Sequence, residues 1–125
     1  NEPAGECTPA RMVKLAKKIA AESGGTIAVE IHDRKSLKKM GAGAFLAVAQ
    51  GSDQPPYLID MLYTPKDGKA TAELTMVGKS VTFDSGGLDI KPADGMRDMK
   101  RDMSGGAATM AAIKAIAALG LNIKV

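Results

Sequence analysis

An intrachain disulfide is closed to this chain, because its 125 residues hold a single cysteine, Cys7. A lone thiol fits a reducing compartment, and the cytoplasm is the expected location. Tryptophan is absent, and Tyr57, Tyr63, Phe45 and Phe83 are the only aromatic residues. The net charge is only +3, and the lysines are scattered over helix-like stretches. Nucleic-acid binding calls for a concentrated basic stripe interleaved with stacking side chains, so no nucleic-acid partner is expected. No apolar run approaches the ~18 residues needed to cross a bilayer, and no secretory signal is visible. Because the first residue is Asn1 rather than Met, an earlier targeting segment stays possible. Histidine occurs once, as His32, which leaves little for an imidazole-based site.

The length suits one domain or part of one. We read residues 1–125 as a single unit with no internal repeat, low-complexity segment or linker. Both ends look like cuts through a longer chain: Asn1 is not a natural start, and Ile123-Lys124-Val125 reads as a strand just begun. An end strand left without neighbours would favour marginal stability or self-association through an exposed edge.

Helical and strand-like segments alternate. Thr8 can cap a helix with Pro9 in its first turn. Met12, Leu15, Ala16 and Ile19 then fall at helical spacing until Gly24-Gly25. Thr26 to His32 alternates as a strand. Asp33 caps a short basic helix over Arg34 to Met40, and Ala44 to Ala49 reads as a buried strand. Tyr57 to Tyr63 is a strand, Pro65-Lys66-Asp67-Gly68 a tight turn, and Ala72 to Val77 a further strand antiparallel to it. A loop-rich stretch covers Lys79 to Met103. Ser104-Gly105-Gly106 opens an alanine-rich helix that runs to about Leu119 and stops at Gly120. The pattern predicts an α/β fold: a mixed-sheet, three-layer sandwich with helices on both faces, here as a truncated part of a larger domain.

The chemistry gathers after the fourth expected strand. Lys79, Asp84, Lys91 and Asp102 lie in glycine-rich loops, Lys79 directly at a strand end where α/β sites collect. Gly86-Gly87 allows close backbone approach beside Asp84. Asp102 with Ser104-Gly105-Gly106 could line a polar pocket at a helix start. Two carboxylates with a spare amine suit divalent cations and electrostatic work. The blander reading, turn formers and solvated charges, applies to any Asp-Ser-Gly-Gly taken alone.

Two other motif readings are weak. Gly78-Lys79-Ser80 ends like a phosphate-binding loop, but Glu73 stands where that loop needs glycine. Asp84-Ser85-Gly86-Gly87 is like the nucleophile loop of trypsin-like proteases, which needs a histidine base in a two-barrel fold, and His32 sits in a strand of an α/β pattern.

The run from Val77-Gly78-Lys79 through Thr82-Phe83-Asp84-Ser85-Gly86-Gly87 to Lys91, followed by Met99-Lys100-Arg101-Asp102-Met103, resembles the signature region of the leucyl aminopeptidase (cytosol aminopeptidase) family. Asn1-Glu2-Pro3-Ala4, Thr8-Pro9, Met40-Gly41-Ala42, Phe45 to Ser52 and Pro55-Pro56 also match its spacing, so the likeness covers essentially the whole chain. It implies a dinuclear-metal aminopeptidase that removes N-terminal, leucine-type residues from peptides. Lys79, Asp84 and Asp102 would be metal ligands, Asp84 bridging two cations, and Lys91 a catalytic residue kept off the metal. As a ligand Lys79 must be a neutral amine, which an adjacent cation permits. The resemblance further implies manganese or zinc (magnesium or cobalt being possible), a bound bicarbonate, and a hexamer.

Two positions depart from the family pattern: Ser80 replaces a usual glycine, and Ser104 replaces another small residue. An Asn-Thr-Asp-Ala-Glu-Gly-Arg segment, which in the family supplies two further carboxylate ligands and an arginine beside the bicarbonate, does not occur in these 125 residues. The chain alone is therefore expected to be inactive. A non-catalytic DNA-binding or scaffold module, or a phosphate- or nucleotide-binding domain using Gly78-Lys79-Ser80, remain as alternatives.

Overall fold

The computed structural model describes residues 2–125; Asn1, the first residue of the family-like opening, lies outside them. Helix α1 covers Pro9–Glu22. The Thr8 hydroxyl accepts from the Arg11 amide at 3.3 Å, supplying one of the bonds that a helix start lacks. Met12, Ala16 and Ile19 form its buried stripe. Strand β1 (Ile27–His32) follows and pairs antiparallel with β2 (Leu58–Tyr63) in the register Ile27↔Tyr63, Val29↔Met61, Ile31↔Ile59. The side-chain period of two then sends these six residues to one face and Ala28, Glu30, Leu58, Asp60 and Leu62 to the other.

The first face carries the core. Cys7, Met12, Ala16, Ile19, Ile27, Tyr63, Met110 and Ile113 form one buried cluster, with Val29, Ile59 and Met61 packed against it. Helix α5 (Ser104–Leu119) contributes Met110 and Ile113 and stops at Gly120, whose left-handed φ of 62° suits a residue without Cβ. Thus α1 and α5 cover one side of the sheet. Ala28, Glu30, Leu58, Asp60 and Leu62 are exposed on the other. The class is α/β, as the pattern predicts.

Three local expectations are corrected. Residues Gly43–Val48 form helix α3 rather than a strand. The run is short and apolar, and periodicity cannot separate helix from strand over such a length. Helix α2 (Arg34–Lys39) precedes it, capped as expected by Asp33, which accepts from the Ser36 amide at 2.8 Å.

The second correction concerns Ala72 to Val77, which is not a regular strand beside β2. Only Glu73 bridges, in parallel, to Lys124. The place beside β2 is taken by the end of the chain. Tyr63 and Val125 exchange both backbone hydrogen bonds (2.8 and 3.2 Å), and Lys124 donates to Ala72 O while accepting from Leu74 (both 2.9 Å). Residues 122–125 are therefore paired on both sides, not left bare; the two-stranded sheet itself is antiparallel, and the parallel Glu73–Lys124 bridge lies outside it. The alternation in 72–77 gave no information on its partner, and a short turn favours but does not compel a hairpin. The third correction is minor: the stretch 79–103 contains a short helix α4 (Ala93–Met96) and a 3₁₀ turn (Met99–Arg101).

Tyr63 ties these pieces together. It is almost fully buried, and its hydroxyl donates to Leu121 O at 2.9 Å. Replacing Tyr63 by Phe keeps the ring but strands that carbonyl. Urea unfolding of the Tyr63→Phe chain is expected to show a loss of about 1 kcal/mol; an unchanged midpoint would mean that the hydroxyl bond does not hold the 121–125 segment.

Candidate metal centre

Past Glu73 the chain crosses towards the first turn of α5. Lys79 O accepts from the Gly106 amide at 2.7 Å. Backbone lies on backbone here. A Cβ added to Gly105 would stand 3.0 Å from Lys79 N, and one on Gly78 would stand 2.6 Å from Gly105 O and 2.7 Å from Gly106 Cα. Both glycines are needed for approach, not for unusual φ. This contact delivers Lys79 to the same helix start that carries Asp102. Asp102 closes the 3₁₀ turn, its amide donating to Met99 O at 3.2 Å. The Gly106 amide, expected to help line an open polar pocket, is used internally by Lys79 O.

The Lys79 ammonium lies 2.7 Å from Asp102 Oδ2. That oxygen is shut off from solvent yet has no hydrogen bond of sound geometry. The contact is thus a short ion pair with poor angles, and Oδ2 is left under-satisfied. A carboxylate oxygen in that state can accept a better-directed partner.

Asp84 sits in a tight loop. Its Oδ1 accepts from the Gly86 amide at 2.9 Å, and the Lys91 amide donates to Ser85 O at 2.9 Å, closing the loop. Gly86 has φ +93°, and a Cβ there would run into Asp89 O, so glycine is required. Asp84 Oδ2 accepts from Lys91 Nζ at 2.9 Å.

The two Lys–Asp pairs feel one another. Lys79 is held above its ordinary pKa, first by its short contact with Asp102, against some desolvation, and then by the charges of Asp102 and Asp84. Asp84 is held below the usual carboxylate range, first by the Lys91 hydrogen bond, then by the Gly86 amide, with Lys79 contributing through space. All four expected residues therefore belong to one electrostatic neighbourhood. Among the described residues no three His, Cys, Asp or Glu side chains gather as metal ligands; a cation here would rest on two carboxylates and the Lys79 amine. A cleft of about 420 Å³ opens nearby, but Met103 is its only lining residue from this region.

A model of the catalytic domain of the cytosol aminopeptidase family matches residues 1–125. The chain belongs to the cytosol aminopeptidase family. A probable cytosol aminopeptidase of Solibacter usitatus is 51% identical over 119 residues, covering 95% of this chain and 24% of that protein. Apo leucyl aminopeptidase from Trypanosoma cruzi superposes with a TM-score of 0.92 at 31% identity, over 99% of this chain and 24% of that one. The bottromycin maturation enzyme BotP in complex with Mn superposes at 0.87 with 37% identity, over all of this chain and 26% of that one. The chain thus spans about a quarter of the length of these proteins it matches.

Sequence reasoning treated Ser80 as a small local departure from the family glycine. Its role is larger: a methyl on Gly106 would fall on Ser80 Oγ, with Ser80 Cβ at 2.9 Å. The Ser80 hydroxyl occupies the space that a methyl on Gly106 would take. The Gly-Gly pair after Ser104 was the available signal for this close approach. Gly106→Ala is expected to cost about 1–3 kcal/mol through overpacking, and Ser80→Gly in the same chain to recover most of it. Denaturant unfolding of the two single variants and the double variant checks this; equal losses for Gly106→Ala with and without Ser80 would refute the contact.

Proposed function

We propose that this chain is the metal-binding segment of an aminopeptidase that removes N-terminal, leucine-type residues from peptides. Lys79, Asp84 and Asp102 hold divalent cations, manganese or zinc foremost, and Lys91 acts on the substrate carbonyl. The observation that carries the reading is the convergence of Lys79 on the buried, under-satisfied Oδ2 of Asp102, with Asp84 in the same field. The donor set fits: carboxylate oxygens and an amine suit hard and borderline cations. When bound, such cations lower the pKa of a coordinated water and polarise a peptide carbonyl.

The chain's own residues prepare the site. In the metal-free state the Lys79 ammonium neutralises Asp102, and Lys91 neutralises Asp84, so neither carboxylate stands as an uncompensated charge. Loading requires Lys79 to give up its proton and turn its lone pair inward. Lys91, hydrogen-bonded to Asp84, would stabilise the oxyanion that develops on the attacked carbonyl. Asp84, held ionised by Lys91 and the Gly86 amide, remains available as an oxygen donor across the neutral pH range.

The site as folded here holds two carboxylates, so a second cation would find little beyond a shared Asp84. We therefore assign the complete reaction, with its second cation, bicarbonate, hexameric assembly and cytoplasmic setting, to a longer protein. The manganese complex of the structurally similar BotP supports manganese as the first probe.

Titration of this chain with Mn²⁺ should show one saturable site. Asp84→Asn and Asp102→Asn should each weaken it by at least about tenfold without changing the circular dichroism spectrum. Affinity should rise with pH, because Lys79, whose pKa is raised, must lose its proton before binding. Unaltered Mn²⁺ affinity in the double variant, or stabilisation by a nucleotide but not by Mn²⁺, would contradict the assignment. The chain alone should leave leucine p-nitroanilide uncleaved; robust hydrolysis would contradict the need for further residues.

A further inference from the structure

Helices α2 and α3 carry a surface that the metal site does not use. Residues 34–52 contain four cations, Arg34, Lys35, Lys38 and Lys39, and no acidic residue. All four are exposed, and none forms an ion pair among the described residues. Of α2 only Leu37 is buried, at 0% exposure, so the helix is fixed by one side chain and presents its charges outward.

Helix α3 has the opposite character. Gly43–Val48 holds no polar side chain at all. A helix apolar on every side belongs in a core or in a lipid environment. Here Ala42, Leu46 and Ala49 are half-buried, whereas Phe45 and Val48 are exposed, Val48 at 71%. Met40, between the two helices, is also exposed.

The turn keeps the basic and apolar parts together. Gly41 has φ +72°. Its amide donates to Lys38 O at 3.1 Å, and the Ala42 amide to Leu37 O at 3.0 Å, a glycine stop that closes α2 and starts α3 at once. We propose that this helical hairpin docks on an anionic lipid bilayer surface.

Charge complementarity and the apolar flank together select that occupant. A bilayer interface offers phosphate headgroups to the cations and acyl carbon just beneath them to Met40, Phe45 and Val48. Nucleic acid offers phosphates without the apolar layer, and Phe45 is the single aromatic residue of 34–52 available for stacking. Docking of this kind needs no crossing segment, and no helix of the described residues is long and apolar enough to be one.

Co-sedimentation of the 125-residue chain with lipid vesicles tests the proposal. The chain should pellet with vesicles containing phosphatidylglycerol and stay in solution with phosphatidylcholine alone. Added salt should weaken the binding. The double variant Lys38→Gln/Lys39→Gln should lose at least about tenfold in partitioning, and Val48→Ser about fivefold. All three positions are exposed, so circular dichroism should be unchanged. Equal binding to both vesicle types or unaltered partitioning of Val48→Ser would overturn the lipid surface. So would capture by soluble polyglutamate as strong as by the anionic vesicles, which would indicate an acidic protein partner, or a dimer of the chain that leaves the vesicles unbound.

Discussion

The candidate site depends on one close contact between backbones. Residues 78–80 lie directly on the first turn of α5, and the Gly106 amide donates to Lys79 O. Side chains at 78 or 105 would meet the facing backbone and hold the segments apart, and Lys79 would no longer stand beside Asp102. The hydrogen bond alone is worth about 1 kcal/mol net; its importance is geometric. It spends one of the unsatisfied N–H groups of the helix start on fixing a loop that no strand pairing holds. The rest of the scaffold supports this contact. The shared core anchors α5 against α1 and the sheet. Exposed ion pairs such as Lys114–Glu22 add little by comparison.

The charge arrangement follows a second constraint. Two carboxylates in one neighbourhood repel, and each would be costly to bury unpaired. Here each is matched by a lysine, Asp102 by Lys79 and Asp84 by Lys91. The pairs are not equivalent. Lys91–Asp84 is a well-formed hydrogen bond reinforced by the Gly86 amide. Lys79–Asp102 is short but poorly directed, leaving Oδ2 with unused capacity. In the proposed function that difference has a purpose: the loosely satisfied pair can open to admit a cation, while the well-satisfied pair holds Lys91 in place.

Much of this was legible in the sequence, for identifiable reasons. Thr8, Asp33 and Gly120 are strong punctuation, and each marks the helix boundary it was expected to mark. The alternation of Ile27, Val29 and Ile31 placed β1 and its buried face. Lys79, Asp84 and Asp102 stand out by residue type and glycine neighbours, whereas the role expected for Lys91 rests on the family resemblance. What was not legible was pairing between distant segments. No local signal announces that residues 122–125 insert between Tyr63 and Ala72–Leu74. Ala44 to Ala49 carries too few residues for its period to be read. The Ser80–Gly106 fit depends on how separate stretches face one another, which composition does not encode.

The central claim is that Lys79, Asp84 and Asp102 converge on a point able to hold a divalent cation. Crystals of this chain grown with Mn²⁺ and measured by anomalous scattering test it most directly. The account expects a peak within about 2.0–2.4 Å of donor atoms from all three side chains, with Lys79 Nζ turned from Asp102 towards the ion. Ordered loops with the peak elsewhere, or with Lys79 pointing away from it, would contradict the account.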